Sequence, residues 1–423
     1  MKLRIALISD HASPLAALGG TDCGGQNVYV SQVASALASR GHEVDVFTRR
    51  DDAALPMIVE ARDGVRVVHV PAGPAVPVKK EELLPYMAEF SAFTTGWCAC
   101  DDRGYDIAHA NFWMSGMVAL ELKERLEIPF VVTFHALGRV RRLHQGEADG
   151  FPEARFEIEE RVIDGADRVI AECPQDEQDL ITLYEADPRR ISMIPCGVDT
   201  TRFRPVPRRT ARSIVDLGQR DLVVLQLGRL VPRKGIDNVI RGVARLRDQH
   251  GVRATLVIVG GESDAPDPVR TPEIARLMDV ARCEGVAEQV HFVGRRGRDS
   301  LRYYYSAADV FVTTPWYEPF GLTPLESMAC GTPVIGADVG GIRYTVCDGE
   351  TGYLVPPNAP DALADRLARI FADSAHRQML AWEGLRRARE RFSWPGVARS
   401  IENLYEEVLG VGELAEVDLS LTA

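Results

Sequence analysis

Two glutamates near a predicted helix start are the residues of this chain with the clearest chemical potential. They bound the segment Glu318-Pro-Phe-Gly-Leu-Thr-Pro-Leu-Glu326, which follows a predicted strand ending at Val312. A helix start exposes unpaired backbone N–H groups and a partial positive charge, which suits a phosphate. Glu326, inside the helix, is placed to accept hydrogen bonds from ribose hydroxyls, and Glu318, on the loop, to accept them from a sugar. The segment therefore predicts a binding site for a nucleotide sugar.

The same segment could instead have a purely structural role as a helix cap. With Thr323 as N-cap, Glu326 stands three residues later and completes a capping box. Glu318 is then only a solvated loop charge. The prolines and glycine between the carboxylates, and the Gly-Thr-Pro-Val that follows at 331–334, favour the binding site.

A second motif places two cations in a glycine-bounded loop. Gly228-Arg-Leu-Val-Pro-Arg-Lys-Gly235 follows the predicted strand that begins at Asp221. Arg229 offers a planar fork and Lys234 a compact charge, and together they suit a diphosphate. Arg233 is expected to face solvent. The alternative is two surface cations in an ordinary loop.

A glycine-rich loop follows the first predicted strand, Arg4–Ile8. Its sequence is Gly19-Gly-Thr-Asp-Cys-Gly-Gly-Gln26, and a helix is predicted from Asn27 to Arg40. Gly24 and Gly25 would let backbone N–H groups approach an anion closely. The alternative is an ordinary connection between strand and helix, because the loop does not match the dinucleotide-binding glycine pattern.

Short apolar runs alternate with helical patterns along the whole chain, which predicts α/β architecture with parallel sheets. The pattern restarts at Asp221, after a stretch rich in Arg and Pro at 202–221 that is expected to be a linker. We expect two doubly wound domains, at 1–205 and 206–392, facing each other across a cleft. A helix at 393–412 and a loose tail at 413–423 complete the chain.

Composition excludes several functional classes. Among 423 residues, 49 Lys and Arg stand against 61 Asp and Glu, for a net charge of −12, which argues against a general nucleic-acid binder. The eight cysteines show no zinc spacing, which predicts reduced thiols and a cytoplasmic location. No apolar run reaches membrane-spanning length. We expect no metal and no other cofactor.

The two motifs and the glycine-rich loop resemble those of the retaining GT-B glycosyltransferases, a group that includes the sucrose-phosphate synthases and the mycothiol-pathway glycosyltransferase. The carboxylate segment is similar to the E-x7-E motif of this family, and the cationic loop to its G-R-L-x-x-x-K-G motif. The resemblance spans Gly24 to Glu326. It implies the GT-B fold, with two Rossmann-like domains, and a helix near 394–409 that crosses back to the first domain.

The resemblance also implies roles for individual residues. Retention would proceed by front-face substitution, in which the leaving diphosphate of a nucleotide sugar, of the UDP-glucose type, accepts the proton of the attacking hydroxyl. His135, which ends the strand at 130–134, would contact the donor sugar. The implied catalytic residues are His135, Glu318, Arg229 and Lys234. The implied donor-binding residues are Gly24, Gly25, Arg229, Lys234, Glu318, Phe320, Gly321, Leu322, Thr323 and Glu326.

On the acceptor side the resemblance implies a phosphorylated sugar. The expected contacts are Gln26, Lys80, Asn111, Arg139 and Arg155, of which Lys80 and Arg155 would hold the phosphate. The mycothiol enzyme places a Tyr and a Thr on that phosphate, where this chain has Phe112 and Ala136, which lack hydroxyls. A hexose phosphate is therefore the expected acceptor. Inositol phosphate, an unphosphorylated sugar and a lipid or glycan remain alternatives, as do a nucleotide-sugar epimerase and a sensor without activity.

Overall fold

Two mainly parallel β-sheets organise the molecule, for which a computed structural model describes residues 1–16, 24–61 and 64–411. The first sheet has the strand order β3-β4-β2-β1-β5-β6-β7-β8, and β3 is antiparallel to its neighbour. Its strands are β1 Arg4–Ile8, β2 Glu43–Arg49, β3 Ile58–Glu60, β4 Val65–Val70, β5 Ile107–Asn111, β6 Phe130–Thr133, β7 Arg168–Ala171 and β8 Ile191–Met193. Its helices are α1 Gly25–Ser39, α2 Met87–Ala99, α3 Trp113–Leu126, α4 Gly138–Gln145, α5 Ala154–Gly165 and α6 Pro174–Tyr184.

The second sheet is parallel throughout, with the order β11-β10-β9-β12-β13-β14. Its strands are β9 Val223–Leu227, β10 Thr255–Val259, β11 Val290–Gly294, β12 Val310–Thr313, β13 Val334–Ala337 and β14 Gly352–Val355. Its helices are α7 Arg208–Ile214, α8 Ile236–His250, α9 Pro272–Cys283, α10 Arg298–Ala307, α11 Leu322–Ala329, α12 Gly340–Thr345, α13 Pro360–Ala372 and α14 Ser374–Arg391, and the chain continues into α15 Trp394–Val408. The expected doubly wound α/β fold is confirmed.

The buried strands were predictable because they are continuous apolar runs covered on both faces. β1 and β9 are buried at every residue. Two strands at the rim of the first sheet, β3 and β8, were not predicted. Each has three residues, and neither is buried along its length. Such short edge strands carry no periodic signal that distinguishes them from a loop.

The expected linker at 202–221 is wrong in its central part, where α7 lies. Arg212 on this helix is buried and donates from Nη2 to Asp309 Oδ2 (2.9 Å) and from Nε to the Ala307 carbonyl oxygen (3.0 Å). A helix of seven residues is too short to show periodicity in the sequence. It is held by charge pairing with the end of α10, which only the tertiary structure brings near.

The last helix, α15, packs against α1 of the first sheet's domain. The hydroxyl of Tyr405 on α15 forms a hydrogen bond with Nδ1 of His109 in β5 (2.7 Å). Arg40, after α1, pairs with Glu402. The predicted domain limits stay predictions, and the expected tail at 413–423 lies outside the described residues.

Sheet topology places the ligand-binding loops. The chain reverses its direction of growth at β1, between β2 and β5, and again at β9, between β10 and β12. Ligands of open α/β sheets bind at the carboxyl ends of the strands beside such a switch point. The loops that follow β1, β9 and β12 contain the three motifs singled out in the sequence, so the two switch points bring those motifs to one cleft.

Candidate active site

A cleft of about 400 Å³ lies between the two domains and is positively charged. Residues of both domains line it. Its lining cations are Lys80, Arg141, Arg229, Arg233, Lys234, Arg295, Arg296 and Arg298, and its lining carboxylates are Glu172, Glu318 and Glu326. The excess of cations contrasts with the net charge of −12 for the whole chain. A concave surface of one sign concentrates ligands of the opposite sign, so the cleft suits an anion.

The start of α11 forms one wall of this cleft. The helix begins at Leu322, with Gly321 as N-cap at φ 90°, so Thr323 lies inside its first turn. The capping-box alternative for Thr323 is therefore wrong. All four residues that were expected to bind the donor here line the cleft, and they are Phe320, Gly321, Leu322 and Thr323. Unpaired N–H groups of a helix start thus border the positively charged space.

The loop before α11 is held by two glycines of α12. Gly341 N–H donates to the carbonyl oxygens of Glu318 (3.2 Å) and Pro319 (3.1 Å). A Cβ at Gly341 would lie less than 3.0 Å from the Phe320 backbone. A Cβ at Gly340, whose φ is 45°, would likewise lie less than 3.0 Å from the Glu318 carbonyl oxygen. The close backbone approach therefore requires glycine at 340 and 341 and fixes where the Glu318 side chain begins.

Glu318 and Lys234 form an ion pair in the cleft. Burial by itself would raise the pKa of Glu318, but the ammonium of Lys234 and the guanidinium of Arg233 lower it below its usual value. Arg233 lines the cleft and donates to the Tyr317 carbonyl oxygen (3.2 Å), so the expectation that it faces solvent is wrong. Arg229 lines the same space. The loop after β9 thus delivers three cations beside the Glu318 carboxylate.

Glu326 is held by two side chains of α10. Arg298 Nη2 donates to Glu326 Oε1 (3.0 Å), and the Tyr305 hydroxyl donates to Oε2 (3.0 Å). Burial raises the pKa of the Glu326 carboxyl despite these partners. Arg298 also lines the cleft and was not predicted. Its signal in the sequence was its position at the start of a helix after β11, the same strand-end rule that identified the other motifs.

His135 follows β6 with a positive φ of 60° and lines the cleft. Its Nδ1 lies 3.2 Å from Glu172 Oε1, and its Nε2 lies 3.1 Å from Asn111 Oδ1. Tyr29 packs against the ring, edge to face, with ring centroids 4.7 Å apart. The Cys196 thiol also donates to Glu172 (2.8 Å). The imidazole is therefore fixed by buried partners on three sides.

Glu172 is a cleft residue that sequence reasoning missed. It is buried and follows β7 directly. Burial by itself would raise the pKa of Glu172, but His135 outweighs burial, and the pKa of this carboxyl is lowered. The strand at 168–171 was predicted correctly, so the first polar residue after it was the available signal.

The described part of the glycine-rich loop faces α11. Gly24, Gly25 and Gln26 line the cleft, and a Cβ at Gly25 would touch Leu322 at 3.4 Å. Gln26 Nε2 donates to the Asn111 carbonyl oxygen (3.1 Å). Helix α1 begins at Gly25, two residues earlier than predicted. The preceding residues 19–23 of the predicted loop lie outside the described residues.

Three of the five residues expected to contact the acceptor lie elsewhere. Asn111 is fully buried and directs its amide to His135. Arg139 turns away to pair with Glu160 and to pack on the Tyr184 ring. Of the expected acceptor residues that the structure describes, Lys80 and Gln26 line the cleft. Asn111 and Arg139 are not among the residues that line the cleft, so their placement disagrees with the expected contact to an acceptor.

Arg155 is the clearest disagreement with the sequence prediction. Its side chain is 0% exposed, and its Nε donates to Glu159 Oε1 (2.8 Å). Its guanidinium lies 5.1 Å from the ring centroid of Phe112 and 4.5 Å from that of Phe151. Both rings line the cleft, whereas Arg155 is not among its lining residues. Burial and pairing with Glu159 thus remove this cation from the expected phosphate site.

The structure bears on two further expectations. Across residues 1–16, 24–61 and 64–411, no helix is both long and apolar enough to cross a membrane. In the same ranges, no three His, Cys, Asp or Glu residues cluster as metal ligands do. The expectations of a cytoplasmic location and of no cofactor stay predictions.

Comparison with known families and proteins gives a consistent result. Residues 24–197 match the family described as glycosyl transferase 4-like domain, and residues 207–387 match glycosyl transferases group 1. A D-inositol 3-phosphate glycosyltransferase of Actinosynnema mirum is 40% identical over 417 residues, covering 96% of this chain and 98% of the relative. D-inositol 3-phosphate glycosyltransferase 2 of Catenulispora acidiphila is 38% identical over 408 residues, covering 95% of this chain and 94% of the relative.

Among solved structures, a sucrose-phosphate synthase of Thermosynechococcus elongatus superposes with a TM-score of 0.87. It is 35% identical, and the match covers 97% of this chain and 100% of the other. The resemblance inferred from the motifs is thus confirmed over nearly the whole length. The two matched domains, the relatives and the fold together show that this chain belongs to the GT-B glycosyltransferases that combine a glycosyl transferase 4-like domain with a group 1 domain.

Proposed function

We propose that this glycosyltransferase moves a hexosyl group from a nucleotide-diphosphate sugar, of the UDP-glucose type, to a small phosphorylated acceptor. One observation carries the donor half of the proposal. The ion pair of Lys234 and Glu318 borders the cleft at the same wall as the start of α11. Cations, a helix start and a sugar-orienting carboxylate are the groups that a diphosphate linked to a sugar requires.

Each part of the donor has a partner in this arrangement. Arg229 and Lys234 would bind the diphosphate, and Glu326, oriented by Arg298, would accept from the ribose hydroxyls. Glu318 and the backbone of Gly321 would orient the transferred sugar. A diphosphate that enters the cleft competes with Glu318 for the Lys234 ammonium. Donor binding would then release the Glu318 carboxylate to accept hydrogen bonds from the sugar.

We further propose retention by front-face substitution. The bond between the anomeric carbon and the diphosphate oxygen breaks, and the attacking hydroxyl oxygen bonds to the same face of that carbon. The hydroxyl proton passes to the leaving diphosphate oxygen, so the charges balance without another base. Fixed cations would stabilise the leaving group, which is the role that a metal plays in other transferases. We therefore expect the reaction to proceed without a metal.

The acceptor phosphate needs cations on the first domain's side of the cleft. Lys80 lines that side, as does Arg141, whose Nε donates to Asp149 Oδ1 (2.6 Å), and we propose that these two cations, rather than Arg155, bind the phosphate. A hexose phosphate is our first candidate, because Phe112 and Ala136 line the cleft without hydroxyls and because the sucrose-phosphate synthase fold matches closely. Inositol 3-phosphate is the second, supported by the names of the relatives at 38–40% identity.

The test is nucleotide release from UDP-, ADP- and GDP-sugars in the presence and absence of each phosphorylated acceptor, with and without EDTA. We expect release that depends on one donor and one phosphorylated acceptor, persists in EDTA and gives a product with the donor's anomeric configuration. Release that requires an unphosphorylated or lipid acceptor would overturn the acceptor assignment. The absence of acceptor-dependent release with every combination would overturn the proposed function.

A matched pair of variants tests the donor site. Lys234→Ala removes a cleft ammonium paired with a glutamate and is expected to lower kcat/KM by about 100-fold or more. Lys2→Ala removes an exposed ammonium that is also paired with a glutamate, Glu43, at 2.8 Å. This control is expected to leave kcat/KM within about twofold of the unmodified chain, because exposed ion pairs contribute little. Equal losses in both variants would contradict the assignment of Lys234.

A further inference from the structure

An Asp–His pair follows β1 at the edge of the cleft, and the proposed reaction does not yet use it. Asp10 is buried, and its Oδ2 lies 2.9 Å from Nδ1 of His11. The His11 ring packs edge to face against Phe112, with ring centroids 4.8 Å apart. His11 borders both the cleft and a smaller pocket of about 90 Å³ beside it. The imidazole therefore stands where the two spaces meet.

The hydrogen bonds around Asp10 determine the tautomer of His11. The Asp10 backbone N–H donates to Ser115 Oγ (3.0 Å), so the Ser115 hydroxyl proton is available for Asp10 Oδ1, at 2.5 Å. With Oδ1 accepting from Ser115, Oδ2 accepts from His11 Nδ1–H. A neutral imidazole protonated at Nδ1 carries its lone pair on Nε2. Within the described residues, Nε2 makes no hydrogen bond.

Lys80 is the second polar group that borders both spaces. It lies on the acceptor side, where the proposed function puts the acceptor phosphate. An ammonium, which attracts a phosphate, and an imidazole nitrogen, which can accept from a hydroxyl, thus border the same two spaces. Arg155, which the sequence assigned to the phosphate, packs on Phe112, the same ring that contacts His11.

We propose that His11 is an acceptor-specificity residue: its Nε2 accepts a hydrogen bond from a hydroxyl of the phosphorylated acceptor, and Asp10 and Ser115 hold the tautomer that makes this possible. The inference rests on the proposed function, because it assumes a phosphorylated polyol in the cleft. His11 would thus favour acceptors that carry a hydroxyl close to the phosphate bound by Lys80. Asp10 and Ser115 act as positioning residues.

The test measures steady-state transfer by His11→Ala, His11→Gln and Asp10→Asn with a hexose phosphate or inositol 3-phosphate, whichever supports nucleotide release by the unmodified enzyme, and with its deoxy analogues, each lacking one hydroxyl. We expect His11→Ala to raise the acceptor KM about tenfold, the loss typical of one hydrogen bond, while UDP affinity measured by calorimetry changes by less than about twofold. Asp10→Asn is expected to give a smaller rise, because the ring can then adopt either tautomer. His11→Gln, whose amide oxygen accepts, should recover part of the loss.

The deoxy analogues separate recognition from folding. For one analogue, kcat/KM should be about tenfold lower than for the complete acceptor with the unmodified enzyme. With His11→Ala the analogue and the complete acceptor should give the same kcat/KM, because the partner of that hydroxyl is already absent. His250→Ala is the matched control, since His250, at the end of α8, pairs with Asp365 of α13 (3.0 Å) and neither residue lines the cleft. It should leave the acceptor KM unchanged.

Three results separate this inference from the proposed function. Suppose that the enzyme transfers to a phosphorylated acceptor, but that removing each hydroxyl lowers kcat/KM by the same factor in His11→Ala as in the unmodified enzyme. The inference is then overturned and the proposed function stands. Equal rises in acceptor KM and UDP dissociation constant also overturn it, because they indicate a general structural effect. If no phosphorylated acceptor supports transfer by the unmodified enzyme, both are overturned.

Discussion

Gly235 joins the cationic loop to α8 and offers a direct test of how the donor site is built. It is the N-cap of α8 at φ 62°, and a Cβ here would lie less than 3.0 Å from the Thr314 carbonyl oxygen. Gly251 ends the same helix at φ 67°, with nothing within 4 Å of its Cβ position. The two glycines share a left-handed conformation and differ in the space around them. Alanine at each position therefore separates backbone strain from steric displacement.

The expected magnitudes follow from that difference. A left-handed alanine costs about 1–2 kcal/mol, and the loss of chain freedom in the unfolded state offsets about 0.4–1 kcal/mol of this. Gly251→Ala should therefore destabilise the fold by about 1 kcal/mol. Gly235→Ala adds the displacement of a packed backbone, about 1–3 kcal/mol more. The sum for Gly235→Ala is about 2–4 kcal/mol.

The displacement also affects the ligand site. Thr314 Oγ1 donates to the Gly235 carbonyl oxygen (3.0 Å), and the backbone N–H of Trp316 donates to the carbonyl oxygen of Arg233 (3.0 Å). These bonds tie the loop of Lys234 to the loop of Glu318. A shift of Gly235 from Thr314 therefore separates the ion pair, and UDP affinity should fall by about tenfold or more in Gly235→Ala but by less than twofold in Gly251→Ala.

The assay is thermal unfolding of both variants with and without UDP, together with UDP titration by calorimetry. For a domain of this size each kcal/mol lowers Tm by about 2–4 °C, so Gly251→Ala should lose about 2–4 °C and Gly235→Ala about twice as much or more. Equal losses of Tm and equal UDP affinities for the two variants would refute the steric reasoning. A fall in UDP affinity in Gly251→Ala alone would refute the link between the two loops.

Two further predictions concern charged side chains of the first domain. Arg155→Ala removes the charged partner of the buried Glu159 and should cost about 3–5 kcal/mol, seen as a lower Tm. Lys80→Ala should instead raise the acceptor KM with little change in Tm. The reverse pattern would restore Arg155 as an acceptor contact. Burial and the nearby Glu172 raise the pKa of Asp176 to about 7, so the stability that this group contributes is full below its unfolded pKa of 3.8 and is lost as pH rises toward 7. Asp176→Asn should therefore raise Tm little at pH 4 and most at pH 7 and above, and a Tm gain independent of pH would contradict this.

The sequence by itself determined the fold class and the donor loops. Buried parallel strands are local apolar runs, so their positions can be read along the chain, as β4 Val65–Val70 and β12 Val310–Thr313 show. The motifs that follow β9 and β12 were visible for the same reason. Strand ends are local features, and the topology of open sheets brings them to one edge.

The acceptor side was less predictable, because side-chain direction depends on packing. Arg155 and Arg141 are both cations on helices of the first domain, and the sequence does not say which one faces the cleft. Arg155 and Glu159 are four residues apart on α5, a spacing that allows a pair within one helix. That spacing was the available signal that Arg155 is engaged internally. Its enclosure by Phe112 and Phe151 comes from three separate segments.

The sequence thus determined which loops meet, and only the tertiary structure decided which side chains in them are engaged by neighbours. Helical and strand periodicity extend over a few residues and predict elements. The partners of His135 come from elsewhere in the chain: Glu172 lies 37 residues away and Asn111 24. The same holds for Glu326, which is held by Arg298 from another helix. Such contacts depend on how the elements pack, and packing is not encoded in any local pattern.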